Sequence, residues 1–298
     1  MKLPIDFKMK TINRYEKKRE KWISNINSIV EKYNYKLDLQ QMRLVSDLTM
    51  NVAIYANSDK YGDVASKLNS PSKTSENEIK YMRSQFSNYL PRLFYSNLND
   101  RVMLLERLYP GYSLSNLDNQ EERIQIFCNI LNSITINVDE KNSFRRYEDR
   151  INDDIKEVYQ NPSLYKDIIE IFDKSIHMYD EIKSLNLPKF VLHCDLHHKK
   201  ILKTSDSFKA IDPHGIIGER VIETAQFIRA ELEKENKNID KLDEIIKLVG
   251  KYLNEDIIMI YRILYIDTLD KLIFYIKSGF DKNSIQYNIK VCYKILEY

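Results

Sequence analysis

The sequence predicts an α+β, bilobal chain in which a small antiparallel β-sheet lobe precedes a larger, mainly helical lobe. Two observations predict this layout. Short, partly alternating apolar segments fill the first hundred residues, whereas apolar residues at three-and-four spacing fill most of the remainder. The pattern changes after a Tyr-Pro-Gly sequence at residues 109–111. We therefore expect two domains, 1–108 and 109–298, with the break near residues 108–112.

The N-terminal domain is expected to hold an amphipathic helix, about five strands and one inserted helix. The amphipathic helix is predicted over residues 13–34, where apolar residues recur at helical spacing on a charged background. Thr74 or Ser75 is expected to cap the inserted helix, with Glu78 in its first turn beside the positive end of the helix dipole. The expected strands share a β-rich, turn-bounded pattern and lie within residues 37–45, 49–56, 63–68, 92–97 and 101–108.

The C-terminal domain is predicted to be helical apart from residues 188–213, which show a strand, loop, strand, turn, strand pattern. The most apolar stretch, residues 257–276, is interrupted by four charged residues. It therefore predicts a core helix rather than a membrane span. The expected helices share three-and-four apolar spacing and lie within residues 119–136, 142–160 and 164–185. Helices are expected again from about residue 222 to the end, through 239–252, 256–278 and 282–297.

Composition excludes several classes of protein. The chain of 298 residues is 43% hydrophobic and 30% charged, which excludes disorder as a description of the whole chain. Its 46 Lys and Arg against 44 Asp and Glu indicate no broad basic face for nucleic acid. The N-terminus lacks the apolar core of a signal peptide, and three cysteines without a CxxC are typical of a reducing compartment. We expect a cytoplasmic monomer with neither a nucleic-acid nor a membrane partner.

Candidate chemistry is concentrated in one short segment of the C-terminal domain. Three interpretations are open: a histidine-rich polar turn, a zinc site, or a site of phosphoryl transfer. Against zinc, a strand-loop-strand places adjacent residues on different sides, and no matching Cys or His pair lies elsewhere. The residues concerned are His193, Asp195, His197, His198, Asp212 and His214.

Phosphoryl transfer needs a carboxylate that orients a hydroxyl, a carboxylate that holds Mg²⁺, and a lysine on the nucleotide phosphates. Asp195 follows a predicted buried strand, and Asp212 ends a hairpin 17 residues later. Lys67 lies in the predicted strand DVASKL, and Glu78 on the following helix is its expected partner, because an unpaired buried lysine is costly. We expect Asp195, Asp212 and Lys67 to converge on a cleft near residues 105–112.

Two motifs make this interpretation specific. HCDLHHKKIL at 193–202 and AIDPHGIIGE at 210–219 resemble the catalytic loop and the metal-binding segment of the aminoglycoside phosphotransferase family. The most similar branch is that of the streptomycin 6-phosphotransferases and hydroxyurea phosphotransferases. The resemblance extends over residues 37–235, and MLLERLYPG at 103–111 is similar to the family's hinge. It implies a protein-kinase-like fold, with a nucleotide-binding N-terminal lobe and a C-terminal lobe that carries the substrate site.

The resemblance also implies roles for individual residues. Asp195 would be the catalytic base, Asp212 the principal Mg²⁺ ligand, and His193 a brace for the loop. Lys67, paired with Glu78, would hold the α- and β-phosphates of ATP or GTP. The backbone that would meet the nucleotide base comprises Leu105, Glu106, Arg107 and Leu108.

The acceptor implied by the resemblance is a hydroxyl of an aminoglycoside such as streptomycin, or of a related metabolite. An aminoglycoside is polycationic, so its site should be acidic. Acidic residues of the helical lobe could supply that charge, although a solvated helix face explains such a run equally well. These residues are Asp139, Glu140, Glu148, Asp149, Asp153, Asp154 and Glu157.

The sequence departs from the family at Lys200, where the family has the Asn that ligates a second metal ion. A protonated lysine cannot coordinate Mg²⁺. Three possibilities are open: Lys200 takes part in catalysis, Lys200 points to solvent and the enzyme uses one metal ion held by Asp212, or the chain is a weakened kinase-like protein that binds nucleotide with little turnover. Cys194 occupies the usual glycine position, and Glu219 and Glu223 are each expected to anchor the loop or to cap a helix rather than to contact a ligand.

Overall fold

A computed structural model describes residues 16–45, 48, 51–138 and 143–298. Their contacts form two compact units, each of which has its own sheet and helices. The first unit runs to Gly111 and also includes Lys203–His214, and the second comprises Tyr112–Leu202 and Gly215–Tyr298.

The first unit is built on a five-stranded antiparallel sheet with the strand order β1-β2-β3-β5-β4. Two helices belong to it, α1 (Glu16–Leu37) and α2 (Lys73–Ser84). The strands are β1 (Leu39–Leu44), β2 (Val52–Ser58), β3 (Gly62–Leu68), β4 (Leu93–Asn97) and β5 (Val102–Glu106). The strands and helices expected in this part of the chain are therefore present, and β3 lies at the centre of the sheet.

Helix α1 covers one face of this sheet. Its apolar residues Trp22 and Ile26 are buried in one cluster with Val64 and Leu68 of β3. Because successive side chains of a strand point to opposite faces, Lys67 lies on the face away from α1. The sheet thus presents the lysine on its second face, opposite the apolar core.

The start of α2 differs from the prediction. Ser72 is the N-cap, and its hydroxyl accepts a hydrogen bond from the backbone N–H of Ser75 at 3.1 Å. Thr74 and Ser75 therefore lie inside the first turn, and the acidic residue of that turn is Glu76 rather than Glu78. The longer N-terminal end places Glu78 further along the helix.

The second unit contains a four-stranded sheet, ordered β6-β8-β11-β7, among helices. Strand β11 pairs antiparallel with β8 and parallel with β7. The strands of this sheet are β6 (Ile136–Asn137), β7 (Arg145–Arg146), β8 (Lys189–Leu192) and β11 (Ile216–Glu219). The helices are α3 (Gln120–Ile134), α4 (Tyr147–Gln160), α5 (Ile169–Ser184), α6 (Glu223–Lys234), α7 (Leu242–Leu253), α8 (Ile257–Lys277) and α9 (Lys282–Ile295).

Helix α8 is the central helix of the second unit and packs against α5, α6, α7 and α9. Most of its residues are buried, so the prediction of a core helix over 257–276 is confirmed. Elsewhere in this core, Phe127 of α3 stacks on Phe227 of α6 with ring centroids 3.9 Å apart. Among the described residues, no helix is both long enough and apolar enough to cross a membrane.

The segment 203–214 begins at the last residue of β9 (Ile201–Lys203) and contains β10 (Phe208–Ala210). The sequence places it in the second domain, whereas its contacts group it with the first unit. Two bonds explain this difference: Ala210 N–H donates to the carbonyl oxygen of Tyr89 at 2.7 Å, and Lys209 Nζ lies 2.7 Å from Glu106 Oε2. The domain boundary at residue 108 itself stays a prediction.

Candidate active site

In the first unit, Lys67 lies between two carboxylates. Its Nζ donates hydrogen bonds to Glu78 Oε1 at 2.5 Å and to Asp212 Oδ1 at 2.6 Å. Burial by itself would lower the pKa of Lys67, but the charges of Asp212 and Glu78 outweigh it and raise that pKa. The lysine is therefore held as a cation, and it joins the sheet, α2 and the 203–214 segment at one point.

Glu78 is held from its other side as well. Asn69, which follows β3, donates from Nδ2 to Glu78 Oε2 at 2.8 Å. Both oxygens of the Glu78 carboxylate are thus engaged, and its side chain is nearly fully buried. This arrangement fixes the position of the Lys67 ammonium.

Asp212 differs from Glu78 because about a third of its side chain is exposed, 32%. Its backbone adopts the left-handed region, with φ of 63°, and Gly215 follows with φ of 65°. Mg²⁺ is commonly bound through one or two carboxylates together with substrate phosphates, so a single partly exposed aspartate suits that ion. In the described part of the chain, no three His, Cys, Asp or Glu residues form a metal-binding group, so the zinc interpretation gains no support.

The residues expected to meet a nucleotide base lie at the end of β5. Here Glu106 N–H donates to the carbonyl oxygen of Arg92 at 2.8 Å, and Arg107 N–H donates to that of Asp63 at 3.3 Å. Leu105 pairs with Ala65 in the ladder between β5 and β3. The backbone N–H groups of Glu106 and Arg107 therefore already donate within the first unit. Leu108, which follows, is buried.

In the second unit, β8 leads directly into the loop that contains His193 and Asp195. Cys194 lies between them with φ of 60°, a conformation that favours glycine. Its N–H donates to Glu223 Oε2 at 2.9 Å, and the N–H of His193 also hydrogen-bonds to this carboxylate. Asp195 N–H in turn donates to Nδ1 of the fully buried His193 ring at 3.3 Å. Glu223 thus anchors the loop, as the sequence predicts.

Two basic side chains approach the Asp195 carboxylate. His197 Nε2 lies 3.8 Å from Oδ1, and Lys200 Nζ lies 4.0 Å from Oδ2. Burial lowers the pKa of His197 to about 4, so this ring is neutral near pH 7. Lys200 is therefore the cation beside Asp195 within the loop. About a fifth of the Asp195 side chain is exposed, 21%, which leaves the carboxylate accessible.

His198 is buried and belongs to a hydrogen-bond network of the second unit. Its Nε2 lies 2.6 Å from Glu231 Oε1, and Glu231 also accepts two hydrogen bonds from Arg123, at 2.9 and 2.7 Å. All three side chains are buried. This network ties the loop to α6 and α3, which agrees with the expectation that His198 structures the loop.

Most of the acidic residues expected to face a cationic acceptor are paired within the protein. Three acidic residues of α4 form ion pairs with basic residues elsewhere in the unit, and Asp149 accepts the N–H of Arg146 at 3.0 Å. These three pairs are Glu148 with Lys183, Asp153 with Arg145, and Glu157 with Lys277. Asp139 and Glu140 lie outside the described residues.

Asp154 of α4 has another carboxyl group, rather than a basic side chain, as its hydrogen-bond partner. It shares a hydrogen bond with Asp270 of α8, which also accepts from Arg150 Nε at 2.6 Å. Burial, followed by the charge of Asp270, raises the pKa of Asp154 to about 8. Asp267 lies 3.7 Å from Arg150 and pairs with Arg229. Three carboxyl groups and two guanidinium groups therefore form one cluster.

The structure thus brings Lys67, Glu78 and Asp212 together in the first unit, and His193, Asp195 and Lys200 together in the second. Sequence reasoning did not identify Asn69, Glu231 or Asp270 as members of these networks. Of these three, only Asn69 could have been suspected from the sequence, because it lies two residues after Lys67 and so near the pair of Lys67 and Glu78. The other two residues are joined to their partners solely through the tertiary fold.

Comparison with protein families gives one match. The profile of the aminoglycoside/hydroxyurea antibiotic resistance kinases matches residues 66–256, a range that includes both groups of candidate residues. No curated protein matches the chain.

Several solved structures share the fold. A choline/ethanolamine kinase family protein from Mesorhizobium loti has a TM-score of 0.65 at 12% identity, covering 91% of this chain and 95% of its own. The choline kinase LicA from Streptococcus pneumoniae has a TM-score of 0.60 at 12% identity, covering 92% and 100%. Aminoglycoside phosphotransferase APH(4)-Ia, in complex with ADP and hygromycin B, has a TM-score of 0.58 at 13% identity, covering 91% and 98%. The predicted α+β, protein-kinase-like fold is therefore confirmed.

Proposed function

This chain belongs to the aminoglycoside/hydroxyurea antibiotic resistance kinase family, and on that premise we propose that it transfers the γ-phosphoryl group of ATP or GTP to a hydroxyl of an aminoglycoside such as streptomycin, or of a related metabolite. The family and the kinase-like neighbours support a small-molecule phosphotransferase. The observation that carries the proposal is the Lys67 ammonium, hydrogen-bonded between Glu78 and Asp212.

The first unit would bind the nucleotide. The ammonium of Lys67 would contact oxygens of the α- and β-phosphates, and Glu78 with Asn69 would keep it in position. Asp212 would hold Mg²⁺, which when bound neutralises charge on the phosphates during transfer. Related folds in complex with ADP and with AMP-PNP support a nucleotide as the donor.

The second unit would act on the acceptor. As the acceptor oxygen bonds to the γ-phosphorus, the bond from that phosphorus to the β–γ bridging oxygen breaks and the nucleoside diphosphate leaves. The hydroxyl proton passes to the carboxylate of Asp195, which acts as the base. His193 would position this carboxylate through the Asp195 N–H, and Glu223 would position the loop as a whole.

The acceptor would bind as a cation beside Asp154, because the neighbouring Asp270 is already paired with Arg150. Glu148, Asp153 and Glu157 of α4 pair with basic side chains, so their charges are already largely neutralised. Asp154 hydrogen-bonds to Asp270, and its pKa is raised to about 8, so Asp154 would keep a proton near pH 7 that an incoming ammonium or guanidinium group can displace. Asp154 is only partly buried, so such a group can reach it.

Nucleotide consumption tests the proposal directly. Purified protein with ATP or GTP and Mg²⁺ is assayed against streptomycin, hygromycin B, hydroxyurea, choline and ethanolamine, with Asp195→Asn as the inactive control. We expect turnover with an aminoglycoside and none in the control. Turnover with choline alone would reassign the acceptor, and equal consumption by the control would refute the role of Asp195.

A second candidate function follows from Lys200. A lysine 4.0 Å from the Asp195 carboxylate stands where the family has a metal-binding Asn, so the chain could bind nucleotide yet turn over slowly. A rise in melting temperature with Mg²⁺-nucleotide, without turnover on any acceptor, would favour this weakened kinase-like protein over the active enzyme.

A further inference from the structure

A cavity of about 430 Å³ lies in the second unit, away from the loop that contains Asp195. It opens at the beginning of β8 and the end of β11, whereas the loop follows the other end of β8. Its volume is within the range of small-molecule sites, and its lining combines apolar with a few polar side chains. The lining includes Leu187, Phe190, Glu219, Arg220, Val221 and Glu255.

The chemistry of the cavity is set by Glu219. Only 3% of its side chain is exposed, and in the described part of the chain its Oε2 has no hydrogen-bond partner. Its other oxygen, Oε1, lies 3.7 Å from Lys189 Nζ, beyond hydrogen-bond distance. A buried carboxylate oxygen without a donor is unfavourable, so this position favours a ligand that brings one.

The other charges of the cavity are already matched. Arg220 donates from Nε and Nη2 to Glu255 Oε1, at 3.1 and 2.7 Å, and from Nη1 to Asn132 Oδ1 at 2.7 Å. Its guanidinium is therefore engaged, and it neutralises Glu255. The carboxylate that remains for a ligand is Glu219.

We propose that this cavity binds a small organic cation, with a primary ammonium or guanidinium group at Glu219 and a short apolar body against Leu187, Phe190 and Val221. None of the residues assigned to phosphoryl transfer lines this cavity. The site is therefore additional to the proposed active site, and it does not depend on the acceptor.

Methyl NMR of the full chain, with n-butylammonium chloride as the probe and n-pentanol as its neutral counterpart, tests the proposal. We expect butylammonium to shift the methyl signals of Leu187 and Val221 in a saturable way, and to bind at least about tenfold more tightly than pentanol, because a bond to a charged group exceeds a neutral one. Equal affinities would mean that the cavity does not recognise the charge, and shifts absent at millimolar probe would mean that it binds neither molecule. Either result would overturn the proposal.

Two substitutions should act in opposite directions. Glu219→Gln should weaken butylammonium binding at least about tenfold, whereas Lys189→Met should strengthen it, because it removes the cation that competes for the same carboxylate. Lys189 is partly exposed, so its variant tests the proposal even if Glu219→Gln does not fold. Lys247→Met, which removes an exposed lysine of α7, is the matched control and should leave the affinity unchanged.

Unchanged or weaker affinity in Lys189→Met would overturn the assignment to Glu219. The same titration in Asp195→Asn separates the cavity from the active site, because the substitution should leave butylammonium binding in the cavity unaffected. Loss of the Leu187 and Val221 shifts in Asp195→Asn would mean that the probe binds at the active site instead.

Discussion

The backbone N–H of Cys194 donates a hydrogen bond to Glu223 Oε2 at 2.9 Å, so the first residue of α6 holds the loop that contains Asp195. Cys194 has φ of 60°, a region that costs a non-glycine residue about 1–2 kcal/mol. The bond to Glu223 offsets part of that cost. It explains how a cysteine occupies the position where the family has glycine.

The titration of Glu223 gives the first prediction. Burial raises the pKa of Glu223 to about 8, from an ordinary value of 4.5. Between pH 4.5 and about 8, the folded protein retains a proton on Glu223 that the unfolded chain has lost. The contribution of Glu223 to the free energy of unfolding is therefore complete below pH 4.5, and it declines as the pH rises from 4.5 to 8.

Glu223→Gln keeps an acceptor for the Cys194 N–H but cannot titrate. Urea unfolding between pH 5 and 8 should therefore show a shallower loss of stability in this variant than in the natural protein. Some loss should persist, because Asp154 also has its pKa raised to about 8 and acts with the same sign. Glu244→Gln, on the exposed face of α7, serves as the control. An unchanged slope in Glu223→Gln would contradict the buried titration.

The second prediction concerns the pair of Lys67 and Glu78. Lys67→Met leaves two carboxylates without their shared cation, and breaking such a buried pair destabilises a protein by about 3–5 kcal/mol. Lys32→Met, which breaks an exposed ion pair with Asp100, should cost at most about 1 kcal/mol. Urea unfolding measures both. If Lys67→Met loses no more stability than Lys32→Met, the pair does not stabilise the first unit.

A double variant sharpens this test. Lys67→Met combined with Glu78→Gln should be less destabilised than the sum of the two single variants, because the neutral Gln no longer lacks a counter-charge. Strict additivity would show that the two side chains are not coupled.

The third prediction separates the roles of the two aspartates. Asp195→Asn should abolish transfer while the affinity for Mg²⁺-nucleotide stays within about twofold, because a base acts on the acceptor. Asp212→Asn should weaken that affinity at least about tenfold, because its carboxylate would hold the metal. Calorimetry with a non-hydrolysable nucleotide, together with the turnover assay, distinguishes the two. Small and equal effects of both substitutions would place the reaction elsewhere.

Local sequence patterns predicted the helices and most of the strands because alternation and three-and-four spacing record which face of each element is buried. They missed β6, β7 and β11, which lie outside residues 188–213, where strands of the second domain were expected. They also predicted the pairing of Lys67 with Glu78, since both belong to one strand-loop-helix segment. The cap of α2 was wrong because Ser72, Thr74 and Ser75 are all suitable N-caps, and only the backbone geometry selects one.

Other features depend on long-range contacts that no local pattern records. Asp212 reaches Lys67 across 145 residues, and Arg123 reaches Glu231 across 108. The resemblance to a family supplied Asp212, because its motif is short and specific. Nothing comparable pointed to Glu231. In the sequence its partner His198 is indistinguishable from any other loop histidine, and the bond between the two side chains exists only in the folded chain.

The last prediction concerns Lys200, whose Nζ lies 4.0 Å from Asp195 Oδ2 with about a quarter of the side chain exposed. In an active enzyme, this ammonium would supply a fixed positive charge where the family would use a second metal ion. A preorganised charge at such a position is commonly worth about 10²–10³ in rate. Lys200→Asn should therefore lower turnover at least about tenfold, and Lys199→Asn, at the exposed neighbouring lysine, should leave it unchanged.

Turnover of Lys200→Asn measured against Mg²⁺ concentration distinguishes a lysine that takes part in catalysis from one that does not. Unchanged turnover would mean that Lys200 does not participate and that one metal ion at Asp212 suffices. A gain in turnover with a steeper dependence on Mg²⁺ would mean that the restored Asn recruits a second metal ion, and that the natural chain is a compromised kinase.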